Sequence, residues 1–215
     1  MLELKNLDNF KLNHSCNDAG PGFHGDLRFI ELTDSVLNKS DAFIETGTNM
    51  GNTLYFVSRN YDISCYSCEL IPNRTPEHVV ESSNVTWKNI DSFSFLHDIA
   101  PTINDKTCVF YLDAHFGDVD SSTYEKDDKD VLFSELKFII DNFSHYYILI
   151  DDCDINNELF LHNGYSLDEI VEKVSIKDRV LVPNYDEQTS DFHELTGWAL
   201  ITNDTEMEFV NTKIY

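Results

Sequence analysis

Basic residues are scarce in this sequence: 15 lysines and arginines stand against 39 aspartates and glutamates, a formal charge of −24 over 215 residues. Phosphate backbones and anionic lipid surfaces repel such a field, so neither nucleic acid nor a membrane is expected as a partner. Long apolar runs are missing too, none approaching the roughly 18–20 continuous residues of a membrane span. No basic head followed by an apolar stretch opens the chain, and no secretory leader is expected. Cysteines are few, odd in number at five, and without framework spacing, which fits a reducing, cytoplasmic compartment. Cys65 and Cys68 form one CxxC pair with no second pair to complete a tetrahedral zinc site, so they read as ordinary strand cysteines. Low-complexity linkers and internal repeats are absent as well. A single domain over 1–215 is therefore expected, with 1–40 as an N-terminal cap segment and leading helix and 41–215 as the core. At 41% apolar and 13% aromatic, the chain has the material to bury one.

What is present is an alternation. Strands are expected over 41–45, 63–69, 85–90, 107–113, 146–151, 179–182 and 195–202, the last holding Trp198 as a core residue. Residues 107–113 and 146–151 are the clearest: continuous apolar runs closed by an acid, as buried parallel strands are. Helices are expected over 53–60 and 76–82. Leu132, Leu136, Ile139, Ile140 and Phe143 fall on one face of a crossover helix that follows a polar segment over 124–130. Leu27, Ile30, Leu32 and Leu37 mark the leading helix, with Gly20-Pro21-Gly22 breaking the chain ahead of it. Such alternation implies right-handed βαβ units, a parallel sheet covered on both faces, and a ligand beyond the carboxyl ends of the strands.

Those ends carry acids in succession: Glu45, Glu69, Asp91, Asp113, and the pair Asp151 and Asp152. A single strand-end acid is as readily a helix cap as a functional group. Several together repel one another and raise some pKa values, unless a cation or a hydroxyl-rich ligand takes up the charge. The turn after the first strand holds Gly47 and Gly51 with Thr48, Asn49 and Met50 between them, which is not the G-x-G-x-x-G of a dinucleotide site. Glu45 just ahead of it disfavours phosphate and suits a cationic or zwitterionic ligand. Glu69, closing the second strand, stands where a carboxylate accepts both hydroxyls of a ribose. Together they suggest an adenosyl ligand without phosphates.

The runs Glu45-Thr-Gly-Thr-Asn-Met-Gly51, Tyr66-Ser-Cys-Glu69, Tyr111-Leu-Asp113 and Leu149-Ile-Asp-Asp152 resemble the successive motifs of class I S-adenosylmethionine-dependent methyltransferases, over roughly residues 41–152. Their wording is similar to that of a group marked by ETGT-x-x-G, LDAH and LIDD. The resemblance implies a Rossmann-like α/β fold: a mostly parallel seven-stranded sheet, helices on both faces, and an antiparallel last strand. It implies that the turn Glu45, Thr46, Gly47, Thr48, Asn49 to Gly51 wraps the methionine part of S-adenosylmethionine, that Glu69 holds the ribose, that Asp91 and Ser92 meet the adenine, and that Thr53, Leu70 and Asp113 also line the cofactor.

A further likeness, to catechol-type O-methyltransferases, places a divalent cation such as Mg²⁺ on Asp113, Asp151 and Asp152. There an oxygen-only site would lower the pKa of an acceptor hydroxyl. Where those enzymes carry a general-base lysine this chain has Phe116, which leaves His115 as base, beside Asp113, or as a hydrogen-bonded loop histidine. His193 and Glu194 are weaker candidates. The expected activity is methylation of a small hydroxylated acceptor, of sugar or natural-product type, with or without the cation. The alternative is a catalytically silent adenosyl-binding or protein-interaction module of the same fold. So small a cap leaves room for a homodimer that completes the pocket.

Overall fold

The computed structural model describes residues 22–25, 27–72, 81–114, 128–151, 153–154, 165–184, 198–209 and 212–215. A 3-10 turn (Gly22–Gly25) leads into α1 (Leu27–Leu37), β1 (Ala42–Thr46), α2 (Asn52–Asn60), β2 (Ser64–Cys68), β3 (Val85–Lys88), α3 (Ser92–Ile103) and β4 (Thr107–Leu112). Then follow α4 (Asp128–Asn142), β5 (His145–Ile150), β6 (Cys153–Asp154), β7 (Tyr165–Ser166), α5 (Leu167–Val174), β8 (Arg179–Pro183), β9 (Ala199–Thr202) and β10 (Thr212–Ile214). The main sheet runs β10-β8-β9-β5-β4-β1-β2-β3, and β6 pairs with β7 separately. Strands β1 to β5 are mutually parallel, whereas β9 runs antiparallel to both β5 and β8.

The sheet has eight strands where seven are expected; the addition is β10, a three-residue edge strand antiparallel to β8. Its sequence, Thr-Lys-Ile, is too short and polar to register as an apolar run. Two helices also carry no expectation. In α3, Pro101 stands inside the helix, and a proline reads as a breaker; here it lies exposed near the C-terminal end, where little ladder remains to be lost. The other, α5, is eight residues long, with Asp168 and Glu169 in its first turn and an i,i+4 pair of Glu169 with Lys173 at 2.9 Å. The helix expected over 76–82 lies outside the described residues except for Glu81 and Ser82, which are not helical, and residues 124–127 and 195–197 lie outside them too.

Both faces of the central strands β1, β4 and β5 are buried, so these strands read as nearly unbroken apolar runs. Ile44, Phe110, Leu112, Ile148 and Ile150 face one core with Phe95 and Leu96 of α3 and Leu132, Leu136 and Ile139 of α4. The alternate residues Phe43, Val109, Tyr111 and Leu149 face the other, with α1 and α2. Trp198 belongs to this second core and is buried. Phe23, in the 3-10 turn, plugs it: its ring meets Phe29, Phe56 and Tyr111 edge-on at centroid distances of 5.4, 5.8 and 5.2 Å. Among the described residues no helix is long and apolar enough to cross a membrane.

Candidate functional site

Parallel pairing sets the carboxyl ends of β1, β2, β4 and β5 side by side. Four of the expected acids meet along that edge. Glu69 follows β2, Asp113 follows β4 and Asp151 follows β5, while Glu45 lies one residue inside β1, with Thr46 as the last strand residue. Asp91, after β3, is the N-cap of α3 and accepts from Ser94 N at 2.8 Å. His115 and Asp152 lie outside the described residues, as do His193 and Glu194.

The turn from β1 to α2 is built on two left-handed glycines, Gly47 at φ 84° and Gly51 at φ 76°. Its backbone is anchored to β2: Gly47 N and Thr48 N both donate to Cys68 O, at 3.1 and 3.0 Å. Asp113 N donates to Thr46 O at 3.0 Å, which draws the start of the next loop against Gly47. Glu69 closes the turn from the other side, accepting from Asn49 N at 2.8 Å and from Ile71 N at 2.9 Å. Thr53 is turned to the fold, its hydroxyl accepting from Phe23 N at 3.0 Å. Leu70 and Met50 are exposed on the rim.

Under this turn runs a polar chain that the motifs did not signal. Glu45 and Ser67 are register partners on β1 and β2, and Ser67 donates its hydroxyl to Glu45 Oε2 at 2.7 Å. The Ser67 and Thr48 hydroxyls share a 2.7 Å hydrogen bond, and Trp87 Nε1 donates to Thr48 Oγ1 at 3.0 Å. Burial pushes the Glu45 carboxyl up to about 8, against the pull of Ser67 and with a smaller push from the charge of Glu69. The expected mutual repulsion is thus present but second to desolvation. Beside it, burial pushes the Cys65 thiol up to about 12 and that of Cys68 well above its ordinary value, consistent with strand cysteines in a core.

Asp151 is buried and accepts from the Tyr111 hydroxyl at 2.6 Å. On the opposite face of the sheet Thr46 Oγ1 and both carboxyl oxygens of Glu135, in α4, are buried without a hydrogen-bond partner among the described residues. Burial pushes the Glu135 carboxyl up to about 7; the Ser92 side chain pulls it down and the charge of Asp91 adds a further push. Glu135 escaped the motif reading, although an acid inside the Leu132, Leu136, Ile139 stripe was its signal.

These two raised acids set a pH dependence. Each keeps a proton in the folded chain that the unfolded chain releases near pH 4.5. Their contribution to stability is complete below that value and is lost as pH rises through about 7 for Glu135 and about 8 for Glu45. The slope is up to about 1.4 kcal/mol per pH unit for each group. Urea midpoints measured from pH 5 to 9 are expected to decline in the native chain and to decline less in Glu45→Gln; parallel curves for the two proteins would refute the assignment.

No protein-family model matches the sequence, and no curated protein matches it. Solved structures do. An O-methyltransferase from Bacillus cereus in complex with SAH superposes with a TM-score of 0.58 at 14% identity, over 94% of this chain and 93% of its own. A putative O-methyltransferase from Klebsiella pneumoniae gives 0.56 at 17% identity, over 92% of this chain and 90% of that one. This is the Rossmann-like methyltransferase fold. Spermidine synthase from Thermotoga maritima shares it at a TM-score of 0.51 and 10% identity, over 85% of this chain and 59% of its own. At such identities the likeness is one of fold, and what the chain does has to be argued from its site.

Proposed function

We propose that this chain is an S-adenosylmethionine-dependent methyltransferase that methylates a hydroxyl of a small acceptor. One observation carries the reading. The glycine turn after β1 opens at the carboxyl edge of a parallel sheet, and Glu69, at the end of the neighbouring strand, stands beside it as a carboxylate placed for a ribose. An acid under the turn in place of a third glycine suits a ligand carrying an ammonium and a sulfonium rather than a pyrophosphate.

In this reading the turn from Glu45 to Gly51 holds the methionine end, and Glu45, protonated in the free protein, gives up its proton to balance the positive charge of the ligand. Glu69 accepts the ribose hydroxyls, while Leu70, Asp91 and Ser92 border the adenine. Bound there, the cofactor supplies a methyl group on a sulfonium, an electrophile that needs an aligned oxygen more than covalent help. Asp113 orients the acceptor, and His115 takes the proton of its hydroxyl. The sheet's carboxyl edge orders these parts: Asp113 N is tied to Thr46 O, so a backbone hydrogen bond joins the acceptor side to the cofactor turn. A strongly acidic chain disfavours a polyanionic acceptor, which leaves sugars and natural-product hydroxyls as the class to screen.

A divalent cation is the further part of this proposal, although among the described residues, which exclude Asp152, no three His, Cys, Asp or Glu side chains form a group that could hold one. Asp113 and Asp151 end adjacent strands, their backbone separated by one ladder step, and Asp152 follows directly. Oxygen ligands of this kind suit Mg²⁺, which would lower the pKa of a bound hydroxyl. The Tyr111 hydroxyl fixes one oxygen of Asp151 and so the direction of the carboxylate. Manganese titrated into the protein by calorimetry is expected to bind, and at least about tenfold more weakly to Asp151→Asn, where a charged ligand is lost. Equal binding by both proteins would remove the cation from the proposal.

The whole reading is tested by calorimetry against S-adenosylmethionine and S-adenosylhomocysteine, each with EDTA and with Mg²⁺. Micromolar binding followed by methyl transfer to a hydroxyl in an acceptor screen is the expected result. Binding without turnover on any acceptor would favour a silent adenosyl-binding module, and no binding at all would end the methyltransferase reading.

A further inference from the structure

Glu135 is the residue that the fold leaves unexplained. It sits in the apolar stripe of α4, fully buried, and both its oxygens lack a hydrogen-bond partner among the described residues. A buried carboxyl group without a partner is costly, and an ordinary core position would hold leucine there. Its place is specific. The carboxyl lies close enough to the Cys68 thiol, at the end of β2, and to the Ser92 side chain, at the start of α3, to perturb the first and be pulled by the second.

The first turn of α3 is the edge of that position. This helix runs for 12 residues, and its leading N–H groups have no partner within the helix. Asp91 satisfies one of them, Ser94 N, and in doing so commits an oxygen to capping. Glu135 commits neither of its oxygens. A ring edge arriving beside Ser92 would therefore meet N–H donors from the helix and a carboxyl acceptor from α4. It must offer an acceptor and a donor side by side. The N1 and exocyclic amino group of adenine are such a pair. Thr46 Oγ1, the other buried side-chain oxygen without a partner among the described residues, faces the same core near the same end of the sheet, so the unsatisfied polar groups described collect on one side.

We propose that Glu135 is a specificity residue for the nucleobase, accepting a hydrogen bond from the adenine amino group at the first turn of α3. The inference rests on the adenosyl cofactor proposed above and adds to it which residue reads the base. Asp91 keeps its capping role, and Glu135 supplies the acceptor that distinguishes an amino group from a carbonyl. Above about pH 7, where the Glu135 carboxyl has released its proton, an oxygen in place of the amino group would face a carboxylate oxygen and be rejected.

The test compares S-adenosylhomocysteine with S-inosylhomocysteine, which carries an oxygen at that position, by calorimetry at a pH of about 8.5, where the carboxyl is ionised and accepts only. The native protein is expected to prefer the adenine compound by about tenfold or more. In Glu135→Met the preference should narrow to about threefold or less through weaker adenine binding, even as thermal stability rises with removal of the unpaired acid. In Glu135→Gln it should narrow because the amide can turn its NH₂ toward the inosine oxygen. A preference unchanged from the native value in the folded variants overturns the inference and leaves the cofactor reading standing. Failure of the native protein to bind either compound overturns both. A merely structural role would shift stability without moving the ratio of the two affinities.

Discussion

Replacement of Gly47 by alanine is expected to destabilise the protein by about 2–5 kcal/mol and to abolish cofactor binding. Two costs add. Gly47 has φ 84°, a conformation that costs a residue with a Cβ roughly 1–2 kcal/mol. A Cβ there would also lie 2.5 Å from Asp113 O and 2.9 Å from Ala114 Cα. These are backbone atoms, tied in place by Asp113 N on Thr46 O, and they cannot swing aside as a side-chain tip could. Relief requires the β1 turn and the β4 loop to part, and those two segments form the cofactor side and the acceptor side of the proposed site. Urea denaturation should show a lower midpoint at unchanged m-value, and calorimetry should show no heat with S-adenosylhomocysteine under conditions where the variant is folded. Native-like stability would mean that the close approach of the two loops is not a feature of the folded protein.

Glu69→Ala is expected to weaken S-adenosylhomocysteine binding by about 10–100-fold, and to cost roughly 1–3 kcal/mol in stability. The two losses have different origins. Stability falls because the carboxylate accepts from Asn49 N and Ile71 N, and alanine leaves both donors without their charged acceptor. Affinity falls because ribose hydroxyls lose their acceptor and because Asn49, at φ 45°, loses the contact that holds the turn in its open shape. Binding measured at a temperature well below both unfolding transitions separates them. Unaltered affinity in a destabilised variant would leave Glu69 as a loop anchor and put the ribose elsewhere.

Much of the fold was legible because its strands are local, complete signals. The stretches 107–113 and 146–151 are apolar throughout and closed by an acid, since a strand covered on both faces has no polar face to display. The short edge strand β10 and the proline-bearing helix α3 were not legible, because tertiary contacts hold them against weak or adverse local preference. Within the site, the glycine turn and the acids were readable as motifs. The partners of those acids were not: Ser67 beneath Glu45, Asn49 on Glu69 and Tyr111 on Asp151 come from segments remote in the chain.

The sequence by itself determined the order of the seven longer strands and of helices α1, α2 and α4, and the placing of an acid at or near the end of each leading strand, because both depend on side-chain periods within a few residues. Which strands are neighbours was decided only by the tertiary structure, and with it everything that passes between them. Pairing β1 with both β2 and β4 makes Glu45 and Ser67 register partners and sets Gly47 against Asp113. It also made the environments unequal. One acid caps a helix, two are satisfied by backbone or tyrosine donors, and one, Glu135, is buried with neither oxygen hydrogen-bonded among the described residues. Burial and hydrogen-bond partners are properties of packing, and no local pattern of residues encodes which buried carboxyl will be left without a donor.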